Sequence, residues 1–288
     1  METKYAEAAE KLSEEGCAVI EDFLSPEEVQ ELRTEMGRIV EAMDPSQHPH
    51  AVFRTDDAAQ HAQDSYFLDS ADKISFFYED GAFDGEGNLS RPKELALNKV
   101  GHALHTLNPI FKRISTSAKF EALLRAVGYQ EPKIVQSMYI FKQPKIGGEV
   151  PAHMDASYLY VEPMKHLLGL WIPIDDATLE NGCLHFAPGS HKGGRVGWRF
   201  VRTHAQNGAL MEYSGEKPDF ESRSFSPAPV KKGSLVLIDG LVWHKSAANR
   251  SDSPRHAYTF HVVDMKDTRW SPENWLQPLS GDFLPVYS

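Results

Sequence analysis

From residue 134 onward the chain abandons helical spacing of its apolar residues and breaks into short β-prone runs, the change that most restricts its fold. The runs are 134–141, 158–161, 167–174, 183–186, 235–238 and 258–263. Turn signals at Asn181-Gly182, Pro188-Gly189, Gly193-Gly194 and Asp239-Gly240 separate several of them. Many short strands punctuated in this way favour a sandwich or a jelly-roll barrel. The preceding part reads as helices packed outside that barrel. Leu24-Ser25-Pro26-Glu27-Glu28-Val29 is a helix start, with Ser25 as cap, Glu28 completing a capping box and Leu24 stapled to Val29. Val29, Leu32, Met36, Ile39, Val40 and Met43 then fall on one helical face. Residues 17–20 read as a short strand, and 96–107 and 117–127 as further helices. The expected fold is mainly β with flanking helices: one domain over 1–288, helical to about 130, with a β-barrel core over about 131–265.

Composition removes several classes. Of the 288 residues, 41% are hydrophobic and 25% charged, the globular norm. A net charge of −11 repels a nucleic-acid backbone, so nucleic-acid binding is not expected as the main role. Cys17 and Cys183 are the two cysteines, and no secretory signal stands before them, so free thiols in a reducing compartment are expected. No apolar run reaches membrane-span length. The first fifteen residues are Glu-rich without Arg, and the last four are not a peroxisomal address. The expected location is the cytoplasm, with a small-molecule partner, no membrane partner and a monomer as the plain assumption.

Chemistry concentrates at His153-Met154-Asp155, followed far downstream by His244 and Arg255. In extended backbone His153 and Asp155 point to one side while Met154 points away. Two imidazoles and one carboxylate hold an octahedral metal on one face and leave the other open, the facial arrangement of non-haem iron(II) oxygenases. Arg255 adds a fixed cation suited to the distal carboxylate of an anionic co-substrate. The spacing alone is weak: 13 histidines and 18 aspartates give roughly one His-x-Asp by chance. Context strengthens it, because each candidate lies near the end of a β-prone run. A zinc-type hydrolase or isomerase on the same ligands is a second class, though it gives Arg255 no task. A non-catalytic binding protein is a third, and loss of a ligand would favour it.

Several blocks also resemble the phytanoyl-CoA dioxygenase family: Gln136-Ser137-Met138-Tyr139-Ile140-Phe141-Lys142, His153-Met154-Asp155-Ala156-Ser157, Asp176-Ala177-Thr178-Leu179-Glu180-Asn181-Gly182-Cys183, Pro188-Gly189-Ser190-His191 and Trp243-His244-Lys245-Ser246. The resemblance runs from about residue 16 to the C-terminus. It implies a double-stranded β-helix (jelly-roll, cupin-like), with iron(II) as metal and 2-oxoglutarate and O2 as co-substrates. His153, Asp155 and His244 match iron ligands; Lys99, Met138, Trp171, Ser253 and Arg255 match positions that contact 2-oxoglutarate. The implied reaction is hydroxylation of an unidentified small molecule with release of succinate and CO2, with no catalytic side chain beyond the metal centre. Alternatives are a phytanoyl-CoA-type acyl-CoA 2-hydroxylase and a non-catalytic metal- and 2-oxoglutarate-binding protein of the same fold. Met154 stands where the family usually has Gln. His185 stands where an aromatic such as Trp is expected, a change in the pocket wall.

Other residues carry plainer readings. His48, His50 and His61 fall in a polar surface excursion. The Asp- and Gly-rich stretch 79–88 lacks a full calcium pattern and reads as a solvated turn. His185, His191 and His261 read as hydrogen-bonded structural histidines. Trp198, Arg199 and Arg202, within 193–208, read equally as a lid over the substrate or as a solvated loop.

Overall fold

A computed structural model describes residues 2–53, 65–164, 166–203, 209–278 and 281–287. In chain order its strands are β1 (Cys17–Ile20), β2 (Ile74–Tyr78), β3 (Leu97–His102), β4 (Pro132–Ile140), β5 (Val150–His153), β6 (Val161–Glu162), β7 (Leu167–Pro173) and β8 (Leu184–Ala187). They continue with β9 (Trp198–Arg202), β10 (Met211–Gly215), β11 (Ser226–Ala228), β12 (Leu235–Asp239), β13 (Trp243–Ser246), β14 (Ala257–Asp264), β15 (Arg269–Trp270) and β16 (Leu284–Pro285). Among the described residues, the larger sheet runs β1-β12-β7-β14-β4-β3-β2, with β16 beside β4, and the smaller runs β11-β8-β13-β5. All their pairings are antiparallel. Together they form a jelly-roll whose sheets face each other but are not hydrogen-bonded into one closed barrel.

The larger sheet is buried on both faces, because alternate residues serve two different cores. Leu168, Leu170 and Ile172 of β7, and Tyr258, Phe260 and Val262 of β14, meet Leu12, Leu32, Met36, Phe111 and Leu124 from the helical layer. Phe120 seats its ring 4.8 Å from Phe23 and 5.0 Å from Phe260. Each such fully buried side chain contributes about 1.5–3 kcal/mol relative to exposure. On the opposite face Trp171, Val236 and Ile238 pack with Leu184 and Phe186 of the smaller sheet. What remains between the sheets is a cavity of about 500 Å3.

The helix Pro26–Ala42 begins as its sequence predicts. Ser25 Oγ accepts from the Glu28 amide at 3.3 Å, and Glu28 Oε2 accepts from the Ser25 amide at 2.8 Å. The helix Ala118–Val127 ends at Gly128, whose φ of 94° is the left-handed cap that glycine adopts without steric cost.

Several expectations require correction. Residues 96–107 are not one helix: β3 pairs with β2 and β4, and only Leu104–Leu107 coils. Cross-strand partners such as Val100 against Tyr139 outweigh the local helical spacing. The first 130 residues therefore add three strands to the sheet as well as the helical layer. Glu79, expected in a solvated turn, is buried. His50 is exposed, as expected of a surface excursion, and stacks on Phe83 at 4.2 Å, whereas His48 is half-buried with its ring 4.8 Å from Phe76; His61 lies outside the described residues.

Candidate metal centre and its cavity

His153 closes β5 and His244 lies on β13 directly across from it, so strand pairing alone sets the two imidazoles side by side, 4.2 Å between ring centroids. Met154 keeps the backbone extended (φ −126°, ψ 140°), and the chain then turns into a short 3-10 segment, Asp155–Ser157. That geometry sends Asp155 to the side of His153 and buries Met154 on the other. His153 Nδ1 donates to the Pro151 carbonyl at 2.9 Å and His244 Nδ1 to the Val242 carbonyl at 3.1 Å. A carbonyl only accepts, so both protons sit on Nδ1 and both Nε2 lone pairs point inward. Asp155 Oδ1 lies 3.8 Å from His153 Nε2 and 3.7 Å from His244 Nε2. An ion bound at about 2.1 Å with right-angled ligands needs separations of about 3 Å, so a small contraction suffices. These three residues are the one such group found among those described.

Protonation suits ligation. Burial, reinforced by the neighbouring His244, lowers the His153 pKa to about 4, leaving it neutral at neutral pH. Burial alone would raise the Asp155 carboxyl, but His261, His244 and His153 hold it well below the usual carboxylate range. Asp155 Oδ2 faces His261 Nε2 at 3.1 Å, and His261 Nδ1 in turn meets Gln136 Nε2 at 3.1 Å.

The cavity wall carries Arg255, Trp171, Met138 and Lys99. Arg255 is 2% exposed, its pKa lowered by burial to about 10, so it remains a cation. Its Nη2 reaches Ser246 Oγ at 3.5 Å, its Cζ lies 5.2 Å from the Trp171 ring, and its Nε and Nη1 have no hydrogen-bond partner among the described residues. Lys99 is buried with its ammonium 3.2 Å from the centre of the Phe53 ring, and burial pushes its pKa well down. Ser253 is the exception to the expected set. It is exposed and lines a separate cleft, because the turn 251–253 spends its polar groups on Asn249; Ser246 is the hydroxyl beside the guanidinium. His185 lines that outer cleft too, with Nδ1 on the Cys183 carbonyl, and so is not part of the cavity wall.

Other groups line the cavity without a local sequence signal. Glu79 accepts from Asn98 Nδ2 at 2.9 Å and from the Gly148 amide at 3.3 Å; burial raises its pKa. Lys142 donates to the Gly148 carbonyl at 2.8 Å, and burial lowers its pKa well below normal. Tyr158 and Tyr213 share a hydroxyl–hydroxyl bond of 2.8 Å at the cavity wall, and burial raises both phenols. Tyr213 comes from the hairpin β9–β10, which also contributes Phe200. Arg199 binds Glu273 and Ser271, and Arg202 binds the Trp275 carbonyl, so this part of the 193–208 stretch is an ordered hairpin. Residues 204–208 lie outside the described residues. No local pattern marks these positions; only the tertiary pairing brings them in.

A jelly-roll with two histidines and one carboxylate at the edge of a buried cavity is the architecture of a metal-dependent oxidoreductase. The phytanoyl-CoA dioxygenase (PhyH) family model matches residues 12–257, and the chain belongs to that family. A similar protein is the phytanoyl-CoA dioxygenase domain-containing protein 1 homolog of Caenorhabditis elegans, 51% identical over 278 residues, 96% of each chain. Among solved structures, the epimerase SnoN in complex with Fe3+, alpha ketoglutarate and nogalamycin RO matches at TM-score 0.65 and 15% identity, over 98% of this chain and 95% of that one. EctD from S. alaskensis with 2-oxoglutarate and 5-hydroxyectoine matches at TM-score 0.65 and 20% identity, over 98% and 86%. Among the described residues no helix is long and apolar enough to cross a membrane.

Proposed function

We propose that this chain is an iron(II)- and 2-oxoglutarate-dependent dioxygenase that hydroxylates a small molecule. The observation that carries the reading is Arg255: a buried cation whose Nε and Nη1 lack a hydrogen-bond partner among the described residues, in the same cavity as the His153, Asp155 and His244 cluster. An unpaired buried cation costs several kcal/mol, and an anionic co-substrate cancels that cost. When bound, iron(II), 2-oxoglutarate and O2 supply the oxidation, and the co-substrate leaves as succinate and CO2.

The side chains hold, orient and exclude water. His153, Asp155 and His244 would take the metal through Nε2, a carboxylate oxygen and Nε2. Arg255 would clamp the distal carboxylate of 2-oxoglutarate bidentately, with Ser246 beside it and Trp171 and Met138 as apolar walls. Lys99 would add a further amine donor toward the same anion. The prime substrate would sit farther out, against Phe200, Trp275 and the Tyr158–Tyr213 pair. Because both phenols keep their protons, that pair offers neutral donors and acceptors rather than charge. A cavity of about 500 Å3 matches a drug-sized molecule.

An acyl-CoA substrate has one observation on its side. The outer cleft shares Glu149 and Lys245 with the cavity and also carries Lys145, Arg223 and Arg250. Its Glu180, Glu221 and Asp252 offset those cations, so the small-molecule reading is preferred. The test is iron-dependent, aerobic conversion of 2-oxoglutarate to succinate by the metallated protein without prime substrate. Its absence, with metal bound, would return the protein to the non-catalytic reading.

A further inference from the structure

His261 has no part in the metal cluster and no surface to serve, yet it contacts one metal-ligand side chain directly. It lies on β14 of the larger sheet, whereas His153 and His244 come from the smaller one and Asp155 from the 3-10 segment after β5. Its Nε2 stands 3.1 Å from Asp155 Oδ2, while the other oxygen, Oδ1, faces His153 and His244. The two carboxylate oxygens are thus divided between two kinds of partner.

The larger sheet is built around this contact. Gln136, His261 and Gly169 stand in register across β4, β14 and β7. Gln136 Nε2 is an amide donor, so His261 Nδ1 accepts from it and the ring proton lies on Nε2, pointing at Asp155. On the other flank a Cβ at Gly169 would lie 3.2 Å from Asp155 Oδ2 and 3.5 Å from His261 Nε2. The missing side chain leaves room for the bond. One neighbour sets the tautomer and the other clears the space.

We propose that His261 is a positioning residue that occupies Oδ2 of Asp155, so that the carboxylate meets the metal through Oδ1 alone. The proposal rests on the metal-centre reading above. Its consequence is a ligand count. Three protein atoms on an octahedral ion would leave three positions for other ligands. A carboxylate swinging round to bind through both oxygens would take one of them. His261 prevents the swing.

The test uses the whole chain and Co(II) as probe, read by affinity and by the absorption spectrum, which responds to coordination number. His261→Leu should lower Co(II) affinity about ten- to hundred-fold, the usual loss when a partner of a metal ligand is removed. Its spectrum should change as well. His261→Gln, whose amide nitrogen reaches the place of Nε2 and still donates, should recover most of the affinity and the parent spectrum. Gly169→Ala should reproduce part of the loss without touching His261. Parent-like affinity and spectrum in His261→Leu would overturn the proposal while leaving the metal centre standing. Equal losses in the Gln and Leu variants, tracking the melting temperature of the metal-free proteins, would also overturn it, since packing would then explain them. A parent protein that binds no divalent ion would remove the metal-centre reading itself, and this proposal with it.

Discussion

The two ends of the cavity are built on different terms. At the inner end, charged and ligating groups are buried and their geometry is fixed by strand register: His153 opposite His244, with Arg255 2% exposed just before β14. At the outer end the walls are aromatic, and they come from a turn, a hairpin and the C-terminal segment: Tyr158 and Tyr213, both half-buried, and Phe200 and Trp275, both buried. Register is costly to change, because one slip reverses every side chain on a strand. Hairpins and turns change freely. Under the proposed function, the inner end suits a fixed reaction and the outer end a variable substrate.

The most severe way to break this contrast is Asp155→Ala. It should cost at least about a hundred-fold in divalent-metal affinity, more than removing a ligand's neighbour does, and abolish 2-oxoglutarate turnover. Isothermal titration with Mn(II) checks the first, and succinate formation the second. Next, Arg255→Ala should weaken 2-oxoglutarate binding by about thirty-fold or more, the scale of losing one partner of a buried charge pair, while metal affinity stays near the parent value. Equal 2-oxoglutarate affinity in mutant and parent would remove Arg255 from the co-substrate site.

Acid should act on the scaffold beneath the inner end. Burial holds the His105 pKa at about 3, and its Nδ1 sits 2.8 Å from Ser137 Oγ under β4. In the unfolded chain the same imidazole titrates near about 6.5. Below that pH the unfolded state binds the extra proton, so stability is lost as pH falls from about 6.5 toward 3. Melting curves across that window should slope less steeply in His105→Gln. The smallest effect expected is from Tyr213→Phe at the outer end. It should leave metal and 2-oxoglutarate affinity within about twofold, and cost about 1 kcal/mol of stability for the lost hydroxyl bond. A large loss of metal affinity there would erase the distinction between the ends.

The ease with which each part could be read from sequence follows the same division. His153, Asp155, His244 and Arg255 were visible because their residue types are scarce in combination and adjoin β-prone runs. The jelly-roll was visible in the runs 134–141, 167–174, 235–238 and 258–263, whose apolar residues fill both faces of one sheet. β5 and β13 were not, since Val-Pro-Ala-His and Trp-His-Lys-Ser carry little β-propensity and become strands only by pairing. β3 was misread because Ala96, Leu97, Val100 and Leu104 also fit a helix. Ser253 matches the family by position, yet it is exposed at the turn 251–253, and no local pattern marks Ser246 as the hydroxyl beside the guanidinium. Tyr213, Glu79 and Lys142 reach the cavity through long-range folding, which no local spacing records.

The two imidazoles, His153 and His244, come from strands separated by about ninety residues of chain, and that separation would make a bound ion a fastener. Joining distant points removes more freedom from the unfolded chain than joining near ones. A ligand that binds only the native arrangement also shifts the folding balance by mass action. Before β13 has found β5 there is no site to fill, so a bound ion would report that this edge of the smaller sheet has formed.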